Sequence, residues 1–358
     1  VPEKPDQPSD VQAGFAMSTC ANGAEAWVKA DATRQGWRLA FSRPGFVTLK
    51  HDDPAADLPS GIFIRRSCHS IGSERGSDSN ALIAKLADDF QTKFSDPVPF
   101  RTLHVWSRDR LPIGKFGFEP ELDALSDAVG GQILAHLPKT LLDADKVNGI
   151  ADAGATVMDV VLVEPNQWFW GWHVARDWHD RWPGGIQPIR PQVEPVSRAY
   201  FKAAESIAWS GFELRPGDLA VDVGSSPGGA SGLLLEMGLR VLGIDPAEMD
   251  PSINEHPNFQ HVRARAGDLK RSVFSDAKWM MVDSNVKPDQ TLSTVENIVT
   301  HPRVPIEGVL LTLKLGNYAM AENLDRWLDR IRSWGPKDVQ VRQLTRNRCE
   351  VCCAIRMR

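Results

Sequence analysis

The chain has 358 residues, 24% of them charged and 42% hydrophobic, with a formal net charge of −5 at pH 7. That length accommodates two or three domains, each with its own core, and the acidic balance excludes a uniformly basic nucleic-acid coat while leaving room for a local basic face. No run approaches the roughly 18 apolar residues of a membrane span, and five unevenly spaced cysteines make no disulfide framework.

The opening stretch VPEKPDQPSD is polar and Pro-rich, without an apolar signal core. With the cysteine usage, this points to a reducing, cytoplasmic setting. Short β-like runs at Ala26–Val28, Trp37–Phe41, Phe46–Leu49 and Gly61–Ile64, broken by Gly, Pro and Asp, predict a small α+β domain over residues 1–78. Residues 80–94 carry apolar groups at helical spacing, RTLHVWSR reads as a strand, and PELDALSDAVGGQILAHL as another amphipathic helix. TVMDVVLVE and QWFWGWHVA follow as strands, making residues 79–178 a second α+β module. Trp168, Trp170 and Trp172 alternate along the last of these, a face that either packs on a helix or stacks unpaired bases. Residues 179–196, rich in proline and holding a Gly pair, read as an extended linker.

From Ser197 the pattern alternates. Helices are predicted at Ser197–Ala208, Ala230–Met237, Thr291–Thr300 and Asn323–Trp334. Strands are predicted at Leu219–Val223, Arg240–Ile244, Phe259–Arg263, Trp279–Asp283, Gly308–Leu313, Asp338–Leu344 and Glu350–Arg356. Such alternation predicts an α/β domain over residues 197–358, with a doubly wound, mostly parallel, Rossmann-like sheet.

LAVDVGSSPGGAS, residues 219–231, is the most informative stretch. An apolar run ending at Asp222 leads into a turn, Gly224-Ser225-Ser226-Pro227-Gly228-Gly229, that opens a helix near Ala230. Glycines let backbone N–H groups approach a ligand, and the helix N-terminus offers partial positive charge. The spacing is not GxGxxG, and Pro227 sits where a dinucleotide fold wants an open turn, so S-adenosylmethionine is the first candidate ligand. Ligands of doubly wound sheets bind outside the C-terminal strand ends. Asp222, Asp245, Asp268 and Asp283 stand at successive ends there. Asp245 suits ribose hydroxyls and Asp268 the adenine amine; solvation or helix capping is the plain alternative for any one of them. Lys314 ends the apolar strand GVLLTLK and Lys202 lies in the helix SRAYFKAAESI. Each is either half of an ion pair or, with its pKa pushed down by desolvation and a second cation, a general base. Cys349 and Cys352 would face opposite sides of a strand, which argues against zinc there. Residues 330–358 hold eight basic side chains against two acidic ones, a basic C-terminal patch.

Lys202, Asp283, Lys314 and Glu350, with SSPGG, resemble the Lys-Asp-Lys-Glu tetrad and glycine turn of the FtsJ-type RNA ribose 2′-O-methyltransferases. SRAYFKAAESI is similar to that family's SRxxxKLxE helix, and RNRCEVCCAI to its final strand around the glutamate. WPGGIQPIRPQVEPVSRAYFK, VDSNVKP and LTLKLG resemble a narrower group, the THUMP-bearing bacterial enzymes that methylate a cytidine ribose in large-subunit (23S) ribosomal RNA. The resemblance covers residues 180–358 and is fainter upstream, where it implies a THUMP-like module. It implies methyl transfer from S-adenosylmethionine to a ribose 2′-oxygen of RNA, without a metal. Lys314 would be the base, oriented by Asp283 and Lys202, with Glu350 holding the ribose or Lys202. Gly224, Ser226, Gly228 and Gly229 would embrace the methionine portion, and Asp245 and Asp268 the adenosine. The turn after Lys314, GNYAMAEN, departs from the narrower group's basic turn. The competing expectations are a methyltransferase for a small molecule or protein, and a catalytically silent RNA-binding protein.

Overall fold

Two stretches of chain, divided at Gln187/Pro188, fold around separate cores in the computed structural model, which describes residues 14–94 and 100–358. The polar N-terminal tip lies outside the described residues. The first unit contains β1 (Gly14–Thr19), α1 (Glu25–Arg34), β2 (Arg38–Arg43), β3 (Phe46–His51), β4 (Arg66–Arg75), α2 (Ser79–Lys93), β5 (Thr102–Ser107), α3 (Ala124–His136), β6 (Thr156–Glu164) and β7 (Gln167–Val174). All its strands join one seven-stranded sheet in the order β2-β3-β1-β4-β7-β6-β5. On one face, Leu82, Leu86 and Phe90 of α2 and Ile133 of α3 bury against Leu103, Val105, Met158 and Val160. Trp168 and Trp170 belong to that core, their indoles donating to Pro165 O and Asp89 Oδ2, so neither is available to stack a base.

The division expected at residue 78 is not a boundary between sheets. β4 pairs with β1 on one side and β7 on the other, which leaves no open edge between the two sequence regions. Ala26–Val28 lies in α1 rather than a strand, because Glu25 accepts from the N–H groups of Gly23 and Gly45 and ties down the helix start. Gly61–Ile64 forms a turn closed by Ile64 N–H to Gly61 O, and the strand begins at Arg66. The expected linker is folded over residues 179–186. Pro183, Gly184, Gly185 and Ile186 are buried, and the fully buried Arg66 donates to Asp180 Oδ1 (2.6 Å) and to the carbonyls of His179 and Trp182. A buried guanidinium needs those acceptors, and the segment supplies them.

The second unit contains α4 (Ala199–Ser210), β8 (Leu219–Val223), α5 (Gly229–Glu236), β9 (Arg240–Ile244), α6 (Pro251–Asn254), β10 (Phe259–Val262), β11 (Ala277–Val282), α7 (Pro288–Val299), β12 (Gly308–Lys314), α8 (Leu324–Arg332), β13 (Asp338–Arg342) and β14 (Glu350–Arg356). Its sheet runs β10-β9-β8-β11-β12-β14-β13, parallel through β12, with β14 antiparallel to both neighbours. This is the Rossmann-like α/β arrangement that the alternation predicts. α4 and α5 pack against each other and the sheet through Tyr200, Ala203, Ala230, Leu234 and Met281. The strand order reverses at β8, which places a crevice beyond the C-terminal ends of β8 and β11.

Candidate active site

Sheet register brings the first two charged groups together. Lys314 ends β12, Glu350 begins β14, and the antiparallel pairing sets them directly opposite each other. Asp283 follows β11, its N–H donating to Val223 O (3.1 Å). Lys202 comes from the buried face of α4, which packs on β12 and β14. The four close into a ring of alternating charge. Lys202 Nζ lies 2.6 Å from Asp283 Oδ2 and 2.7 Å from Glu350 Oε1, while Lys314 Nζ lies 2.6 Å from Asp283 Oδ1 and 2.8 Å from Glu350 Oε2. Lys202 and Glu350 are buried, whereas Lys314 is 26% exposed and is the ring's most open member.

Burial alone would raise both carboxyls, but the two lysines outweigh it and hold Asp283 and Glu350 below the usual carboxylate range. For Lys314, burial favours the neutral amine, yet Asp283 and Glu350 together push its pKa above the ordinary lysine value. This corrects the expectation of a depressed Lys314. Both carboxylates touch the amine directly, and their attraction exceeds the effect of desolvation. At rest Lys314 is an ammonium.

The segment before Glu350 is held from below. Glu205, one turn along α4 from Lys202, is buried and accepts the N–H groups of Thr345 and Arg346 at 2.8 Å each. Burial pushes its carboxyl up and those two donors pull it back. Asn347 Oδ1 accepts from Leu344 N–H, and Gln343 donates to Arg348 O, so the turn leading into β14 is cross-braced. Sequence reasoning gave Glu205 no role, although it falls on the glutamate of the SRxxxKLxE pattern. Its signal was a carboxylate three residues from Lys202 on the apolar face of the same helix.

In the glycine turn, the missing side chains are accounted for by neighbouring chain. Gly224 has φ +84°, and a Cβ there would stand 2.7 Å from Asp283 O, so the turn lies directly against the ring's aspartate. A Cβ on Gly229 would collide with Ser197 and with the start of α4. Gly228 is the N-cap of α5. Ser225 is buried with its hydroxyl on Met249 Sδ (3.4 Å), Ser226 donates to Glu248 O (2.7 Å), and Pro227 is exposed after a cis peptide bond. Asp222 is fully buried and accepts from Ser231 Oγ (2.7 Å), which makes it a brace for the first turn of α5 rather than a surface for a ligand. Burial, with Asp283 and Asp245 nearby, pushes its carboxyl up to about 7. Asp245 is half-buried, accepting from Ser226 N–H (3.3 Å) and Ala247 N–H (2.8 Å). Asp268 is exposed in the turn Ala266–Asp268. The basic C-terminal segment is dispersed: Arg330 pairs with Glu296, Arg332 with Asp329, and Arg346 and Arg356 lie over Phe201 and Phe212.

The second unit thus brings a Rossmann-like sheet, a glycine turn and a ring of four charges together at one crevice. Residues 195–304, within the second unit, match the sequence model of the FtsJ-like methyltransferases. The chain is similar to proteins named Ribosomal RNA large subunit methyltransferase M. It is 28% identical to that of Laribacter hongkongensis over 183 residues, covering 49% of this chain and 51% of the relative. It is 30% identical to that of Azotobacter vinelandii, covering 48% and 51%. The chain thus spans about half the length of the curated relatives it matches. Among solved structures, the fibrillarin pre-rRNA processing protein of Methanococcus jannaschii aligns with a TM-score of 0.36 and 11% identity over 56% of this chain and 82% of that one.

Removing the Glu205 carboxylate strands the buried Thr345 N–H, at about 1–3 kcal/mol, and the part-buried Arg346 N–H, at somewhat less. Glu205→Ala is therefore expected to lower unfolding stability in urea by about 2–5 kcal/mol, with Glu205→Gln recovering part of it; a loss below about 0.5 kcal/mol would contradict the brace. Asp222 makes a pH-dependent contribution of defined sign. Because its folded pKa is raised, the unfolded chain releases this proton first, and stability falls as pH rises from the ordinary carboxyl range to about 7. The stability difference between Asp222→Asn and wild type should shift in asparagine's favour by up to about 1.4 kcal/mol per pH unit across that window and level off above it. A pH-independent difference would contradict the assignment.

Proposed function

We propose that the chain methylates a ribose 2′-hydroxyl of RNA, using S-adenosylmethionine and Lys314 as general base. The observation that carries this reading is the ring of Lys202, Asp283, Lys314 and Glu350 standing against the Gly224 turn. The residues around the crevice suit the cofactor. The start of α5 supplies donors for a carboxylate, half-buried Asp245 an acceptor for ribose hydroxyls, and exposed Asp268 an acceptor for an amine. S-adenosylmethionine supplies, when bound, a methyl group on a positively charged sulfur that leaves as a neutral thioether.

What remains for the protein is alignment and one proton. Lys314, the most exposed ring member, releases its resting proton to water and then accepts the proton of the attacking hydroxyl. Asp283 and Glu350 fix the amine from two sides, and Lys202 keeps both carboxylates ionised and in place. The large-subunit ribosomal RNA substrate is supported by the names of the relatives, and cytidine as the nucleoside by the resemblance read from the sequence alone. The first unit serves in this reading as the RNA-recognition module. Cytoplasmic ribosome assembly is the setting, in keeping with five free cysteines.

Lys314→Ala should abolish methyl transfer to ribosomal RNA, read by mass-spectrometric nucleoside mapping, while calorimetric affinity for the cofactor stays within about threefold, because the amine serves the acceptor. Since Lys314 starts as an ammonium with a raised pKa, the wild-type rate should climb with pH through the neutral and alkaline range with a one-proton slope. Equal loss of transfer and cofactor affinity, or a rate flat with pH, would sink the base assignment.

A further inference from the structure

The first unit holds a second cluster of chemically versatile side chains. Cys68 on β4, His104 on β5, Asp159 on β6 and His173 on β7 project from one face of the sheet, and all four are at most 2% exposed. Ligand atoms of Cys68, Asp159 and His173 all lie within 4.8 Å of one another. His173 Nδ1 is 2.5 Å from Asp159 Oδ2, and His104 Nδ1 faces Asp159 Oδ1 at 3.9 Å. Those last two atoms, both buried, have no hydrogen-bond partner.

The histidines are pre-set by their other nitrogens. His104 Nε2 lies 2.9 Å from Gly149 O and His173 Nε2 2.8 Å from Asp180 O. A carbonyl can only accept, so each Nε2 carries the hydrogen, and the Nδ1 of His104 presents a lone pair to the cluster. Outer-nitrogen bonds to carbonyls are the usual way a metal-binding imidazole is oriented. The cluster is left with two acceptors, an imidazole lone pair and a carboxylate oxygen, pointing at each other in a dry interior, an arrangement that is unfavourable without something positive between them.

We propose that Cys68, Asp159 and His173, with His104 as fourth donor, bind a zinc-type divalent cation that braces the first unit's sheet. One thiolate, two imidazoles and one carboxylate are a donor set suited to tetrahedral zinc. The charges balance: thiolate and carboxylate together neutralise the dication, while the neighbouring Arg66 is already matched by Asp180. Binding expels the Cys68 thiol proton and any proton shared between His173 and Asp159. The inference is independent of the methyl-transfer reading, and it revises the expectation of a metal-free chain. Sequence reasoning passed over the cluster because its members lie on four separate strands.

The test is the metal content of the full chain purified from zinc-replete medium, by plasma mass spectrometry, beside Cys68→Ala and His104→Ala. About one zinc per chain is expected in the wild type, with loss in Cys68→Ala and weakened retention against a chelator in His104→Ala, each variant's folding checked by circular dichroism. Refolding wild type with added Zn2+ should raise its melting temperature, and Co2+ should give a thiolate charge-transfer band that Cys68→Ala lacks, a readout that stands even if a variant folds poorly. A zinc-free wild type that neither gains melting temperature with Zn2+ nor shows that band would overturn the proposal, as would zinc retained undiminished in both variants.

Discussion

Four charges depend on one another in the second unit, and the rest of the site is arranged around that dependence. Taking Lys202 and Glu350 out of water would cost several kcal/mol per ion if either were alone. The cost is offset because every member of the ring meets two partners of opposite sign at 2.6–2.8 Å. Neutralising any one leaves an odd charge among three, so the position of the amine at the end of β12 is set by electrostatics as much as by packing. The ring also joins α4, β12, β14 and the residue after β11, segments far apart in sequence, at the point where the sheet opens its crevice.

The glycine turn gains a second meaning from this arrangement. A glycine cluster after a buried strand reads, in the sequence, as a ligand cradle. What the structure adds is a reason internal to the chain: Gly224 lets the turn lie on the Asp283 backbone, and Gly229 lets α5 meet the start of α4, which carries Lys202. Turn and ring are thus held in contact by the absence of two side chains. Asp222, by contrast, leaves the set of ligand candidates, since its carboxylate is spent bracing α5.

Much of the second unit was legible in the sequence, because β8, β9 and β14 are apolar runs stopped sharply by Gly, Asp or Arg, and those bounds match to the residue. The sign of the Lys314 shift was not. A sequence shows a second lysine, but not that two carboxylates close around both. The first unit was harder for a different reason. In RSCHSIGSER, β4 has few β-branched residues, and it is a strand because β1 and β7 pair with it on either side. The Pro-rich stretch after β7 looked like linker, and only the demand of buried Arg66 for acceptors explains why its first part is folded.

The central claim is that Lys314 is held as an ammonium by both carboxylates of the ring. Heteronuclear NMR of the free protein, with lysine side chains isotopically labelled and Lys314 assigned by substitution, reads its titration directly. The account predicts a pKa above the ordinary lysine value in the wild type, falling in both Asp283→Asn and Glu350→Gln. A Lys314 that titrates at the ordinary value and ignores both substitutions would contradict it.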